Sequence, residues 1–263
     1  MTQIQITHIG GPTVLIAIDE WRILTDPTFD PAGGDYHFGW GTGSRKTSGP
    51  AIDAADLPPI DAVLLSHEQH EDNLDAAGRA LLSDAGVVFT TRVGARRLGA
   101  GAVGLAPWTT TSLATTGRPT IEITATPCRH GPPVSQPITG DVIGFALRWE
   151  GQEHGVLWIS GDTVLYDGVR QVASRLQVSV ALLHLGGVQF PVTGPLRYTM
   201  TAHDAIELCQ TLRPCTIVPV HYEGWRHFLQ GRAAIEEAFS QAPEAVRNAV
   251  IWLPMGVPTS IDV

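Results

Sequence analysis

The stretch VLLSHEQHEDNLD, Val63 to Asp75, places His67, His70, Asp72 and Asn73 directly behind a short apolar run. Four other apolar runs end in the same kind of residue: TATPCRH at His130, VLWISGD at Asp162, VALLHLGG at His184 and IVPVHYEG at His221. One histidine after a strand is usually a satisfied structural residue. Five such endings point to convergence, because ligands gather beyond the carboxyl ends of strands in open sheets that contain parallel strands. Neutral imidazole together with carboxylate suits Zn²⁺, Mn²⁺, Fe or Ni²⁺, and the donors suffice for one or two ions. His67 and His70 are three residues apart, so a turn brings both to one side, with Asp72 beside them. Asp72 or Asn73 would serve equally as the N-cap of a helix beginning at Leu74.

The elements that must position these residues are legible in part. Ile4 and Ile6, then Val14–Ile16, then Ile23–Leu24 read as a β-meander with a turn at Gly10-Gly11-Pro12. From Asp26 to about Pro59 the pattern disappears into a Gly- and Pro-rich segment carrying Tyr36, His37, Phe38 and Trp40, expected to be a long functional loop. Apolar runs follow at 62–65, 87–89, 121–125, 142–149, 156–159, 180–183, 217–220 and 250–253. Helical patterns lie between several of them, at 74–82, 169–176, 202–212 and 233–239, and Thr201 with Asp204 resembles a capping box at the third. An antiparallel beginning followed by strand–helix alternation suggests an α/β (α+β) fold of two sheets between helices. No linker divides the chain, so residues 1–263 are expected to form one domain.

Composition bounds the class. The chain is 43% hydrophobic and 16% charged, with a formal net charge of −9, so its field repels polyanions and disfavours a nucleic-acid partner. No apolar stretch approaches the length of a membrane span, and the first residues lack a signal-peptide pattern, so a soluble, cytoplasmic protein is expected. Three cysteines without a CxxC pair indicate neither a disulfide framework nor a thiolate zinc site. Among the ten histidines, His8, His154, His203 and His227 lack clear partners and read as structural.

Taken in order, THIGGPTVLIAIDEWRILTDPTFD, LLSHEQHEDNLD, ATPCRHGPP, WISGDT, LLHLGG and VPVHYEGWRHF resemble the metallo-β-lactamase superfamily over essentially the whole chain. Within it they resemble the branch of small hydrolases that includes ascorbate-6-phosphate lactonase and N-acyl phosphatidylethanolamine phospholipase D. The resemblance implies an αββα sandwich of two mixed sheets flanked by helices, with a metal site at the rim between the sheets. Its hallmark is H-x-H-x-D-H. Carried over, His70 matches the second histidine, Asp72 the aspartate, His130 a later ligand of the first metal, Asp162 the bridging aspartate and His221 the last ligand of the second site. The sequence departs in reading H-x-x-H-x-D-N. Either a bulge keeps His67 as a ligand or Gln69 faces the metal, and Asn73 stands where a fourth histidine is expected. Asparagine offers zinc only a neutral carbonyl oxygen, which puts the second site in question. Gly11 likewise replaces a histidine common in this branch.

The expected activity is hydrolysis of a small ester, lactone or phosphodiester by metal-activated water, zinc being the first choice of cofactor. Asp72 is the candidate for positioning that water or taking its proton. His184 either contacts substrate and shuttles a proton or orients the ligands. The loop around Phe38 and the segment 186–198 are candidate covers, and Arg45, Lys46 and Arg197 are candidate contacts for an anionic substrate. The alternative is a metal-binding pseudoenzyme or ligand sensor; β-lactamase and nuclease roles rank below both. Substrate identity and oligomeric state leave no mark in the sequence.

Overall fold

Alternation along the strands sorts the apolar residues onto two faces. In β6 (Ala62–Leu64), Ala62 and Leu64 join the layer that faces the second sheet, while Val63 and the following Leu65 pack outward against the first helix. Residues 3–133 and 135–263 are described by the structure, a computed structural model.

The first sheet has seven strands in the order β15-β1-β2-β3-β6-β7-β8. They are β1 (Gln3–Gly10), β2 (Thr13–Ile18), β3 (Trp21–Thr25), β6, β7 (Val87–Thr91), β8 (Ala102–Leu105) and β15 (Thr259–Asp262). Pairing is antiparallel from β15 to β3 and parallel from β3 to β8. The second sheet runs β14-β13-β12-β11-β10-β9. It comprises β9 (Thr110–Leu113), β10 (Ile121–Pro127), β11 (Ile143–Arg148), β12 (Val156–Ile159), β13 (Val178–His184) and β14 (Thr216–Val220), with β12, β13 and β14 parallel. Between the sheets lie Ile6, Ile16, Leu64, Ile123, Phe145, Leu182 and Val218. Helices α1 (Ala76–Leu81) and α2 (Arg92–Leu98) cover the first sheet. Helices α4 (Asp167–Arg175), α5 (Ala202–Leu212), α6 (Arg232–Ser240) and α7 (Glu244–Ala249) cover the second, on Trp158, Val172, Leu208 and Ile235. A four-residue helix, α3 (Gln136–Thr139), lies near the rim. The architecture is the expected αββα sandwich, and Thr201 with Asp204 forms the expected capping box. No helix of the described residues is long and apolar enough to cross a membrane.

Three local expectations are corrected. The segment after Asp26 holds a hairpin, β4 (Asp35–Gly39) with β5 (Thr42–Arg45), whose alternate residues are exposed and half-buried instead of apolar and buried. The run 250–253 contributes only a bridge from Val250 to Ile217. Helix α1 begins at Ala76 and is capped by Asp75, not by Asp72 or Asn73. Asn73 N and Leu74 N both donate to the His70 carbonyl, which closes a separate turn.

Asp75 ties this turn to the rim. Its buried carboxylate accepts from Phe29 N, Asp30 N and Gly78 N at 2.9, 2.7 and 2.8 Å, and from the buried Lys46 ammonium at 2.8 Å. Asp75→Ala leaves Lys46 as an uncompensated buried charge and should cost about 3–5 kcal/mol in urea unfolding; a loss below about 1 kcal/mol would show that water relieves the ammonium.

Candidate metal centre

Site residues sit on the segments that leave the strands. His67 follows β6, His130 follows β10, Asp162 follows β12, His184 ends β13 and His221 follows β14. Gly161 makes the turn into Asp162 at φ +62°, where a Cβ would lie 2.7 Å from the Ile143 carbonyl oxygen. Asp26 and His221 hold left-handed backbone at φ 29° and 55°. Such strain costs about 1–3 kcal/mol per residue and persists only where the surroundings enforce it. For His221 the enforcing contact is its N–H, which donates to the Gly11 carbonyl at 2.9 Å; His8 Nε2 lies 2.9 Å from the same oxygen. His8 therefore does have a structural role.

The donors form two buried groups, His67–His70–His130 and Asp162–His184–His221, each with its ligand atoms within 4.8 Å of one another. In the first, His70 Nδ1 lies 3.1 Å from His67 Nε2 and 3.2 Å from His130 Nε2. His130 Nδ1 donates to the Tyr198 carbonyl at 2.8 Å, so its Nε2 carries a lone pair when the ring is neutral. Burial, reinforced by His70, holds His67 well below its usual pKa; burial and then His130 bring His70 down to about 4. Nitrogens of all three rings thus converge within 4.8 Å. His67 occupies the position left open in the sequence, whereas Gln69 turns away to donate to the Thr139 carbonyl.

In the second group, His184 Nδ1 donates to Asp162 Oδ1 at 3.0 Å. His221 Nδ1 is 3.1 Å from the same oxygen without hydrogen-bond alignment. Asp72 Oδ2 lies 3.7 Å from His221 Nε2 and 3.1 Å from His227 Nε2. Burial opposes ionisation of Asp72 and Asp162, yet the facing histidines hold both carboxyls well below the usual range. Burial likewise opposes charge on His221, but Asp162 and Asp72 raise it to about 10. Buried Asp72 Oδ1, Asp162 Oδ2, His184 Nε2 and both nitrogens of His221 lack a hydrogen-bond partner. Orphaned nitrogen and carboxylate donors in such number fit a divalent cation in the second group, since an unsatisfied buried polar atom costs about 1–3 kcal/mol, and three imidazole nitrogens converging within 4.8 Å fit one in the first.

Sequence reading missed two members. His227, set aside as structural, is buried against Asp72. Asp26 accepts from Ser66 N at 2.7 Å and lies 3.9 Å from His184 Nε2; burial pushes its pKa well up, with Asp162 adding to the rise. His154 and His203 are exposed.

A narrow slot leads to His70, Asp72 and His130 between Phe38, Ile138, Val188, Phe190 and Tyr198, with Thr42 and Thr139 as its other polar walls. Phe38 and the segment 186–198 do cover the site, while Trp40 is 76% exposed. A cavity of about 390 Å³ on the other side of His130 shares His130 and Thr139 with the slot. Arg45 pairs with Asp35, and Lys46 with Asp75.

The model of the beta-lactamase superfamily domain matches residues 21–222. The chain belongs to the metallo-β-lactamase superfamily. It is similar to a metal-dependent hydrolase of Opitutus terrae, 27% identical over 83% of this chain and 84% of that one. It is also similar to a metal-dependent hydrolase of Methanoregula boonei, 28% identical over 54% of this chain and 59% of that one. In the first three curated relatives the match spans 59%, 40% and 52% of their length. Two solved structures share the superfamily fold over most of both chains. An isothiocyanate hydrolase from Delia radicum gut bacteria has a TM-score of 0.81 at 19% identity, covering 98% of this chain and 100% of that one. The metallo hydrolase Igni18 of Ignicoccus hospitalis has a TM-score of 0.71 at 20% identity, covering 100% of each.

At about pH 8 the metal-free protein should carry a proton on His221 but none on His67 or His70. Ligands must be deprotonated to bind metal, and water on a bound cation ionises near neutral pH, so full loading should release the His221 proton together with on the order of one more from water, read by titration calorimetry in buffers of different ionisation enthalpy. His221→Ala should lower that release by about one proton; release of none by the unaltered protein would contradict the assignment.

Proposed function

We propose that the protein is a metal-dependent hydrolase of a small, uncharged ester or lactone. The observation that carries this reading is the pair of buried His/Asp groups, one with three converging imidazole nitrogens and the other with nitrogens and carboxylate oxygens that have no hydrogen-bond partner. His67, His70 and His130 would hold one cation, and Asp162, His221 and Asp72 the other. Zinc suits this imidazole-rich set best, although Mn²⁺, Fe and Ni²⁺ are compatible with it. A bound divalent cation lowers the pKa of water from roughly 16 to about 7 and polarises a carbonyl oxygen.

The protein's own groups do the remainder. Asp72 lines the slot and stays ionised, so its carboxylate accepts a hydrogen bond from the attacking water and orients it. His184 lies behind Asp162, outside the slot lining, and acts as a positioning residue that fixes the carboxylate through Nδ1–H. Phe38, Phe190 and Tyr198 exclude water and favour an apolar substrate body. The absence of any Lys or Arg from the slot lining among the described residues supports a carbonyl substrate over a phosphodiester.

Loaded protein should hydrolyse short aryl esters or lactones. Chelation should abolish the activity, and Asp162→Ala should lower kcat/KM by about 100-fold or more, since even outer partners of metal ligands are worth 10–100-fold. Activity that survives metal removal would overturn the reading, preference for a phosphodiester would overturn the uncharged substrate, and no turnover across both panels would favour a binding protein.

A further inference from the structure

The second donor group lacks the imidazole expected at residue 73. Asn73 turns its amide nitrogen toward Ser66 Oγ at 3.4 Å, and Ser66 Oγ in turn contacts His67 Nδ1, while the buried Asn73 Oδ1 has no hydrogen-bond partner and offers only a neutral oxygen. A different histidine stands beside Asp72. His227 reaches the rim from the loop after β14, and its Nε2 lies 3.1 Å from Asp72 Oδ2. The two atoms are close yet not aligned for a hydrogen bond, and neither nitrogen of His227 has another partner. The ring is only 2% exposed and sits among Phe38, Phe190 and Phe228, with ring centroids 5.6, 5.4 and 4.7 Å away.

A buried imidazole in an aromatic cage with both nitrogens unsatisfied is costly unless a third atom meets it. His221 Nε2, 3.7 Å from the same Asp72 oxygen, is equally without a partner. The loop is also held in place: Gln189 N donates to the His227 carbonyl, Arg226 N to the Arg45 carbonyl and Gln230 N to the Gly186 carbonyl. Gly186, at φ +88°, admits this close approach, because a Cβ there would lie 2.5 Å from the Phe228 ring and 2.8 Å from the His221 carbonyl oxygen.

We propose that His227 replaces the missing histidine at position 73 as a ligand of the second cation, so that Asp72, His221 and His227 hold it together with Asp162. This rests on the metal-dependent reading above. Two nitrogens and carboxylate oxygen form a donor set suited to Zn²⁺, Mn²⁺ or Co²⁺.

The test is metal content by plasma mass spectrometry after reconstitution with Zn²⁺ and gel filtration. It compares the unaltered protein with His227→Ala and His227→Gln, each checked by thermal unfolding in chelator so that a folding defect is told apart from ligand loss. The proposal expects about two equivalents in the unaltered protein and about one in whichever variant keeps the metal-free unfolding temperature. Adding Asn73→His to that variant should restore the second equivalent. Two equivalents retained in the His227 variants would overturn the proposal. One equivalent in the unaltered protein would overturn it while leaving the hydrolase reading intact, and none would overturn both.

Discussion

Buried donors without enough hydrogens to share are the constraint on which the rest of this structure depends. Asp26, Asp72 and Asp162 lie out of water at one rim with His67, His70, His130, His184, His221 and His227. Their mutual attraction keeps Asp72 and Asp162 ionised and His221 protonated, whereas burial strips charge from His67 and His70. Removing such groups from water is expensive, and pairing alone leaves several of them unsatisfied. A site of this kind persists because a larger core supports it, and on the proposed reading divalent cations would supply the missing partners.

The support is visible in what surrounds the rim. Two sheets enclose an apolar layer, and β6, β12, β13 and β14, which deliver all of the strand-end site residues except His130, are buried on both faces, so their carboxyl ends are fixed in space. Side chains from outside the site then hold the connecting segments. Asp75 binds the 29–30 backbone, α1 and Lys46; Asp26 binds Ser66 beside His67; Ser160 Oγ accepts from His184 N at 2.9 Å. The hairpin β4–β5 completes the arrangement by carrying Phe38 over the slot. The left-handed backbone at Asp26 and His221 is part of the same design, since both must turn sharply off a strand end to face inward.

How much of this could be read from the chain depended on local pattern. Uninterrupted apolar runs such as VLWI and VALL announce buried strands, and a polar residue directly after one is conspicuous, which is why the sandwich and the clustering of five strand-end polar residues at one rim were legible. Position 67 against 69 was not, because the extra residue can be accommodated in more than one way; in the structure His67 joins His70 and His130 while Gln69 donates to the Thr139 carbonyl. The hairpin was hidden because it half-buries its aromatics against loops and presents no period of apolar residues. The helix cap was misplaced because Asp72, Asn73 and Asp75 are all good caps and only tertiary contacts separate them. His203 and His227 look alike in sequence, yet one is exposed on a helix and the other is enclosed by aromatic rings six residues beyond a strand-end histidine. Nothing in local spacing marks that difference.

The central claim is that both buried groups hold a cation. Anomalous diffraction from crystals of zinc-loaded protein, recorded on both sides of the zinc absorption edge, tests it most directly. The account predicts two peaks about 3.5–4 Å apart, the spacing of two-metal hydrolytic sites, one among His67, His70 and His130 and the other beside Asp162 and His221. A map lacking a peak at one or both groups, or with zinc bound only elsewhere on the surface, would contradict it.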